Sequence, residues 1–293
     1  MKTVAIFGVG LIGGSFALAL RKAGFDGRII GVSSGVGSDE TIHTALDLHV
    51  IDAALSARDA AGEADLVYLA QPIRKIIDCL ADLNTWVNPQ ALITDAGSTK
   101  RAIVDRARQV ISRAQFLGGH PLAGRERRGV QAAEADLFQR RPYVLTPGSK
   151  AELETPAARE FLSWIPRIGS FPVILTPEEH DRTVAFTSHL PQLASTALAA
   201  TLDGRPEPQT GVYGPALVDS TRLALSSFEI WGDIFATNRD LILVALESYL
   251  ASLEAFRAAL ERDGLRRSFD AAARFAAELR SRAPGSQNDT YHH

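Results

Sequence analysis

One stretch near the start of the chain leaves few folds open. Residues 3–7 (Thr-Val-Ala-Ile-Phe) read as a short apolar strand, Gly8-Val9-Gly10-Leu11-Ile12-Gly13 follows at once, and a helical apolar pattern runs over 11–23. A strand, glycines at this spacing and a helix together form the phosphate-binding turn of a dinucleotide fold. Gly8 permits the tight turn, Gly10 lets the backbone approach a pyrophosphate, and Gly13 lets the helix pack close. N–H groups at the helix start, around Leu11 and Ile12, then meet the anionic phosphates. The triplet alone also suits a flexible turn in an unrelated α/β protein; its strand and helix context favours the nucleotide.

The same alternation continues through the first half. Strands are expected at 28–32, 66–70, 91–95, 116–119 and 143–145, with helices at 40–46, 73–84 and 100–113 between them. Short continuous apolar strands separated by helices favour a parallel sheet covered on both faces. A helix at 156–168 leads to 171–175, one more strand for the sheet edge. After Thr176-Pro177 the pattern turns to long helices, at 178–202, 216–236, 239–262 and 269–282, with a Pro- and Gly-rich link over 203–215. The expected fold class is α/β: a Rossmann-type, mostly parallel sheet over 1–176, then an all-helical domain over 177–282. Residues 283–293 are polar and aperiodic, as in a disordered tail.

Composition excludes several function classes. The net charge is −3, so no nucleic-acid partner is expected. Cys79, the only cysteine, excludes a disulfide framework and a Cys-rich metal centre. No apolar run reaches about 18 residues without polar interruption, so no membrane span is expected. The N-terminus has a signal-like apolar run but no clear cleavage site, and a cytoplasmic location is expected.

Ligands in such sheets bind at the carboxyl ends of the strands. Three candidate segments lie there: Gln71-Pro72, Asp95-Ala-Gly-Ser98-Thr-Lys100, and Gly118-Gly-His120-Pro121. An alcohol that surrenders a hydride needs a base for its proton, and neutral imidazole accepts one near pH 7 at little cost. His120 suits that role, with Ser98 either orienting the alcohol or simply capping the next helix. His180 and His189 are nine residues apart, about 180° around an ideal helix, so they do not share one metal. No metal is expected. His189 reads as a core polar residue or a pocket residue. Arg222 reads as structural or as a fork for a carboxylate. After Val32 the chain has Ser33-Ser34, where NAD sites commonly carry an acid. No Arg or Lys follows closely, so NAD and NADP both stay open.

Taken together, five segments resemble the prephenate/arogenate (cyclohexadienyl) dehydrogenase family of tyrosine biosynthesis. They are GVGLIGGS at 8–15, DAGSTK at 95–100, GGHPLAG at 118–124, HDRTVAFTSHLP at 180–191 and STRLALSSFEIWGDI at 220–234. The resemblance implies NAD(P)-linked oxidative decarboxylation of prephenate or arogenate without a metal, by a homodimer joined through its helical domain. It implies that His120 accepts the ring hydroxyl proton and that Ser98 bonds that hydroxyl and His120. His189, Arg222 and Trp231 become substrate-pocket residues, Arg222 binding a carboxylate, with Lys100 and Asp181 as polar members of the cleft. The cofactor set becomes Gly8, Gly10, Leu11, Ile12, Gly13, Ser33, Ser34, Gln71 and Pro72. Gln192 follows SHLP where the family commonly has a second histidine, which leaves prephenate and arogenate both open. A related hydroxyacid dehydrogenase would carry a catalytic lysine in its helical domain, yet residues 178–260 contain none. A non-catalytic dinucleotide sensor would need the glycines but gains nothing from Ser98, His120, His189 and Arg222.

Overall fold

The computed structural model describes residues 1–32, 38–125, 127–262 and 264–282. Its first elements are β1 (Thr3–Phe7), α1 (Leu11–Lys22), β2 (Arg28–Val32), α2 (Ser38–Asp47), β3 (Ala53–Ala54), α3 (Ala57–Glu63) and β4 (Leu66–Leu69). Then come α4 (Ile73–Trp86), β5 (Leu92–Asp95), α5 (Arg101–Val110), β6 (Gln115–Pro121), β7 (Pro142–Thr146), α6 (Pro156–Arg167) and β8 (Phe171–Ile174). The strands form one eight-stranded sheet in the order β3-β2-β1-β4-β5-β6-β7-β8. Pairing is parallel from β3 through β6, antiparallel between β6 and β7, and parallel again to β8. This is the mostly parallel, Rossmann-type sheet expected, with 171–174 on its edge.

Strand burial explains the unbroken apolar runs. Val4, Ala5, Ile6, Val67, Tyr68 and Ile93 are fully buried because helices cover both faces. Helix α1 seats Phe16 and Leu20 in that core, Phe16 stacking on Tyr68 with ring centroids 3.9 Å apart.

Beyond β8 two of the helices that periodicity suggests are broken into shorter pieces. The stretch expected as one helix over 178–202 is α7 (Pro177–Val184), a π turn (Ala185–His189) and α8 (Leu190–Leu202). Thr176 starts α7 with a capping box, its hydroxyl accepting from the Glu179 N–H. Pro191 has no N–H for the carbonyl one turn back, and the wider π turn accommodates that loss. A short helix, α9 (Pro206–Gln209), interrupts the expected link. The helix expected over 216–236 is also broken, into α10 (Pro215–Thr221), a 3₁₀ turn (Arg222–Leu225) and α11 (Phe228–Thr237). Ser226 and Ser227, both extended at the break, are residues whose side chains compete with helical bonding. α12 (Arg239–Leu260) and α13 (Arg266–Arg282) complete the chain.

The chain divides into two compact units, Met1–Arg239 and the segment from Asp240 onward. Every site residue discussed below lies in the first. No helix among the described residues is long and apolar enough to cross a membrane. The tail over 283–293 lies outside the described residues.

Candidate active site

The glycine turn is shaped for a ligand. Gly8 has φ +93°, and a Cβ there would stand 2.9 Å from the Ala70 carbonyl oxygen. A Cβ on Gly13 would stand 2.2 Å from the Gly8 carbonyl oxygen, so α1 reaches its place only with glycine. A Cβ on Gly10 would meet nothing within 4 Å. Among the described residues that side is open, as a pyrophosphate contact requires. Gly10 is also the N-cap of α1, so the N–H groups of Leu11 and Ile12 begin the helix. Gly10, Leu11, Ile12, Gln71, Pro72 and Ser98 share one cavity of about 460 Å³ at the ends of β1, β4 and β5. Gln71 Oε1 is buried without a partner among the described residues, an acceptor suited to a ligand donor. These residues fit a dinucleotide. Ser33 and Ser34 lie outside the described residues.

Beside this cleft stands a buried polar chain. His120 is near the end of β6, shortly before Ala123 and Gly124, which line the cavity. His120 Nδ1 is 2.8 Å from His180 Nε2, and His180 Nδ1 is 2.7 Å from Asp181 Oδ1. The Asp181 carboxylate accepts from the Lys100 N–H at 2.6 Å and the Arg101 N–H at 3.0 Å, tying α7 to the start of α5. Lys100 Nζ pairs with Asp95 and donates to the Gly119 carbonyl at 2.7 Å. Asp95 in turn accepts from the N–H groups of Gly97 and Gly119. His180, Asp181, Lys100 and Asp95 are fully buried, whereas His120 keeps 9% of its surface exposed.

His189 ends the π turn. Its Nδ1 is 3.4 Å from Asn238 Nδ2, and its ring meets Trp231 edge-on with centroids 5.9 Å apart. Asn238 Nδ2 also donates to the Asp181 carbonyl at 2.8 Å, and Asn238 Oδ1 accepts from Arg101 at 3.0 Å.

Burial sets the electrostatics. It holds His120 well below the ordinary histidine range, with His180, Lys100 and His189 pushing the same way. Burial lowers His180 too, against the bond to Asp181, and brings His189 down to about 4. Burial alone would raise the Asp181 carboxyl, but bonds from His180, Arg101 and Lys100 hold it below its usual range. Neutral imidazoles beside an ionised carboxylate can accept and orient protons near pH 7.

The structure thus links His120 to Asp181 through His180 and places Ser98 in the cleft wall, with no hydrogen bond between Ser98 and His120. Lys100 and Asp181 are supports behind the wall, without exposed surface. Trp231 packs on His189. Arg222 stands exposed on the 3₁₀ turn, lining a separate cavity of about 570 Å³ with Tyr213, Leu217 and Leu225. That turn packs on α8, Gln192 Nε2 donating to the Leu223 carbonyl at 2.8 Å. Sequence reasoning passed over His180 as a partner of His120 and over Asn238, and it gave Asp95 no role within its candidate segment. Asp95 ends an apolar strand before two small residues, a readable signal. Asn238 carries none.

Known proteins resemble this chain in sequence and in fold. The sequence profile of the prephenate dehydrogenase nucleotide-binding domain matches residues 16–163, and that of the prephenate dehydrogenase dimerization domain matches 176–271. The chain belongs to the prephenate/arogenate dehydrogenase family. Within it, the chain is 36% identical over 271 residues to the prephenate dehydrogenase of Bacillus subtilis, covering 89% of this chain and 71% of that one. The prephenate dehydrogenase from A. aeolicus, solved with hydroxyphenyl propionate and NAD+, superposes with a TM-score of 0.83 at 30% identity, covering 95% of this chain and 97% of that one. The arogenate dehydrogenase of Synechocystis superposes with a TM-score of 0.77 at 28% identity, covering 94% and 98%. Family membership makes the chain a dehydrogenase.

Proposed function

We propose that this chain catalyses the oxidative decarboxylation of prephenate to 4-hydroxyphenylpyruvate, with NAD or NADP as oxidant, as a step of tyrosine biosynthesis. The observation that carries this reading is His120, a buried neutral imidazole at a strand end beside a cleft shaped for a dinucleotide. Leu11, Ile12, Gln71 and Pro72 would hold that dinucleotide, and when bound its nicotinamide supplies the hydride acceptor.

The residues of the chain then have a proton to manage. The substrate loses a hydride and carbon dioxide, while the product phenol still carries its O–H. The ring hydroxyl proton is therefore borrowed, then returned to the same oxygen as the ring becomes aromatic. His120 Nε2 accepts it and gives it back. Ser98 orients the hydroxyl from the cleft wall, and Arg222 takes a substrate carboxylate with His189 and Trp231 shaping the pocket. The 3₁₀ turn that carries Arg222 packs on α8 through the bond from Gln192 to the Leu223 carbonyl.

Arogenate, which would give tyrosine directly, is the second reading, favoured by the likeness to the Synechocystis enzyme. We assign 1–176 to the dinucleotide and 177–282 to substrate and to a homodimer, held in the cytoplasm. Leu225 and Phe228 are 79% and 72% exposed, apolar surface suited to a second copy of the chain. Initial rates with prephenate and with arogenate, each with NAD and with NADP, test the proposal. Reduction of cofactor with prephenate supports it, and turnover of neither acid overturns it.

A further inference from the structure

We propose that His180 is a positioning residue for the reaction, the middle of an Asp181–His180–His120 relay that decides which nitrogen of His120 receives the substrate proton. The inference rests on the dehydrogenase reading above. Its premise is a chain of donors and acceptors with one consistent solution.

Asp181 accepts backbone N–H bonds on both oxygens, from Lys100 at 2.6 Å and Arg101 at 3.0 Å. An ionised carboxylate only accepts. His180 Nδ1, 2.7 Å away, therefore carries hydrogen, and His180 Nε2 is left with its lone pair. His120 Nδ1, 2.8 Å from that lone pair, must then be the donor. The hydrogen of neutral His120 is thus on Nδ1, and Nε2 is the free base. The opposite tautomer would set two lone pairs against each other across 2.8 Å, or make His180 abandon Asp181.

Charge follows the same path. Lys100 and Asp95 face His180 from the start of α5 and the end of β5, paired with each other, while Arg101 bonds Asp181. His189 lies near from the π turn; it opposes positive charge on His120, and His180 opposes positive charge on His189. Asp181 is the anion in direct contact with the His180 imidazole. When His120 holds the borrowed proton on Nε2, its Nδ1–H bond to His180 becomes charge-assisted, and His180 passes that stabilisation to Asp181. A triad aspartate fixes its histidine tautomer in the same manner. His180 and Asp181 have no exposed surface, so they act through His120 and not on the substrate.

The test compares the full chain with His180→Leu, which removes the relay, and His180→Gln, whose amide oxygen can still accept from His120 Nδ1–H. Long-range ¹H–¹⁵N NMR of histidine-labelled protein reads the tautomer without substrate. We expect Nδ1–H at His120 in the unaltered chain and loss of that preference in His180→Leu. With prephenate and NAD, His180→Leu should lower kcat about 100-fold or more. KM and dinucleotide affinity should stay within about threefold, since His180 contacts neither cleft nor ligand. His180→Gln should recover about tenfold of the lost kcat by restoring one acceptor. An Nε2–H tautomer at His120 in the unaltered chain overturns the relay. So does a kcat within about threefold of the unaltered value in folded His180→Leu. Should His180→Leu not fold, the tautomer and the Gln variant decide: a Gln variant with full kcat sinks the relay. A chain that turns over neither prephenate nor arogenate overturns the dehydrogenase reading instead, and the NMR result still judges the relay.

Discussion

His120 shows how burial and chemistry meet in one side chain. A fully exposed histidine would be about half protonated near pH 6.5, and its protonated fraction could not accept a proton. Burial keeps this one neutral. His120→Ala is expected to lower kcat about 100- to 10,000-fold while dinucleotide affinity, followed by fluorescence titration, stays unchanged. Near-normal turnover in a folded variant would assign the base elsewhere. Arg222→Lys keeps a charge but loses the planar fork, so KM for prephenate should rise with little change in kcat. A lower melting temperature with unchanged KM would make Arg222 structural. His120 was legible from the sequence because Gly118, Gly119 and Pro121 mark a strand end around it. His180 was not legible as its partner. Helical spacing relates His180 to His189 on its own segment, but the contact that matters crosses from α7 to β6, a distance of 60 residues along the chain.

At the scale of elements, the β1–α1 turn separates two roles for glycine. Gly10→Ala adds a methyl into open space, so stability should hold while dinucleotide affinity falls about tenfold, or 1.4 kcal/mol. Gly13→Ala drives a methyl onto the Gly8 carbonyl, and overpacking of that kind costs about 1–3 kcal/mol. Thermal melts beside titrations separate them; equal melting temperatures for both variants would refute the distinction. The sheet was legible because buried parallel strands leave short, continuous apolar runs. The two-residue β3 was too short to leave any period. In the helical half, apolar period alone ran straight through the π turn and the Ser226-Ser227 break. Periodicity reports which face is buried, whereas those interruptions come from Pro191 and from serine side chains competing for the backbone.

For the whole molecule, the buried histidines couple stability to pH. His120, His180 and His189 all have lowered pKa values when folded. The unfolded chain takes up their protons below about 6.5, while the folded chain resists, down to about 4 for His189. Stability is therefore fully present above about 6.5 and lost as pH falls, by up to about 1.4 kcal/mol per pH unit for each histidine. Denaturant titrations at pH 7, 6 and 5 should show that decline, and a flat profile would mean the imidazoles are not held neutral. Assembly gives a second check at this scale. Leu225→Glu combined with Phe228→Glu should convert a dimer to a monomer by light scattering, and an unchanged mass would move the interface elsewhere. The most direct test of the central claim follows both products of one reaction: cofactor reduction and carbon dioxide release with prephenate, for the unaltered chain and for His120→Ala. Equimolar reduced cofactor and carbon dioxide, both abolished together by the substitution, are the expected result. Cofactor reduction without carbon dioxide, or equal rates in the two proteins, would contradict it.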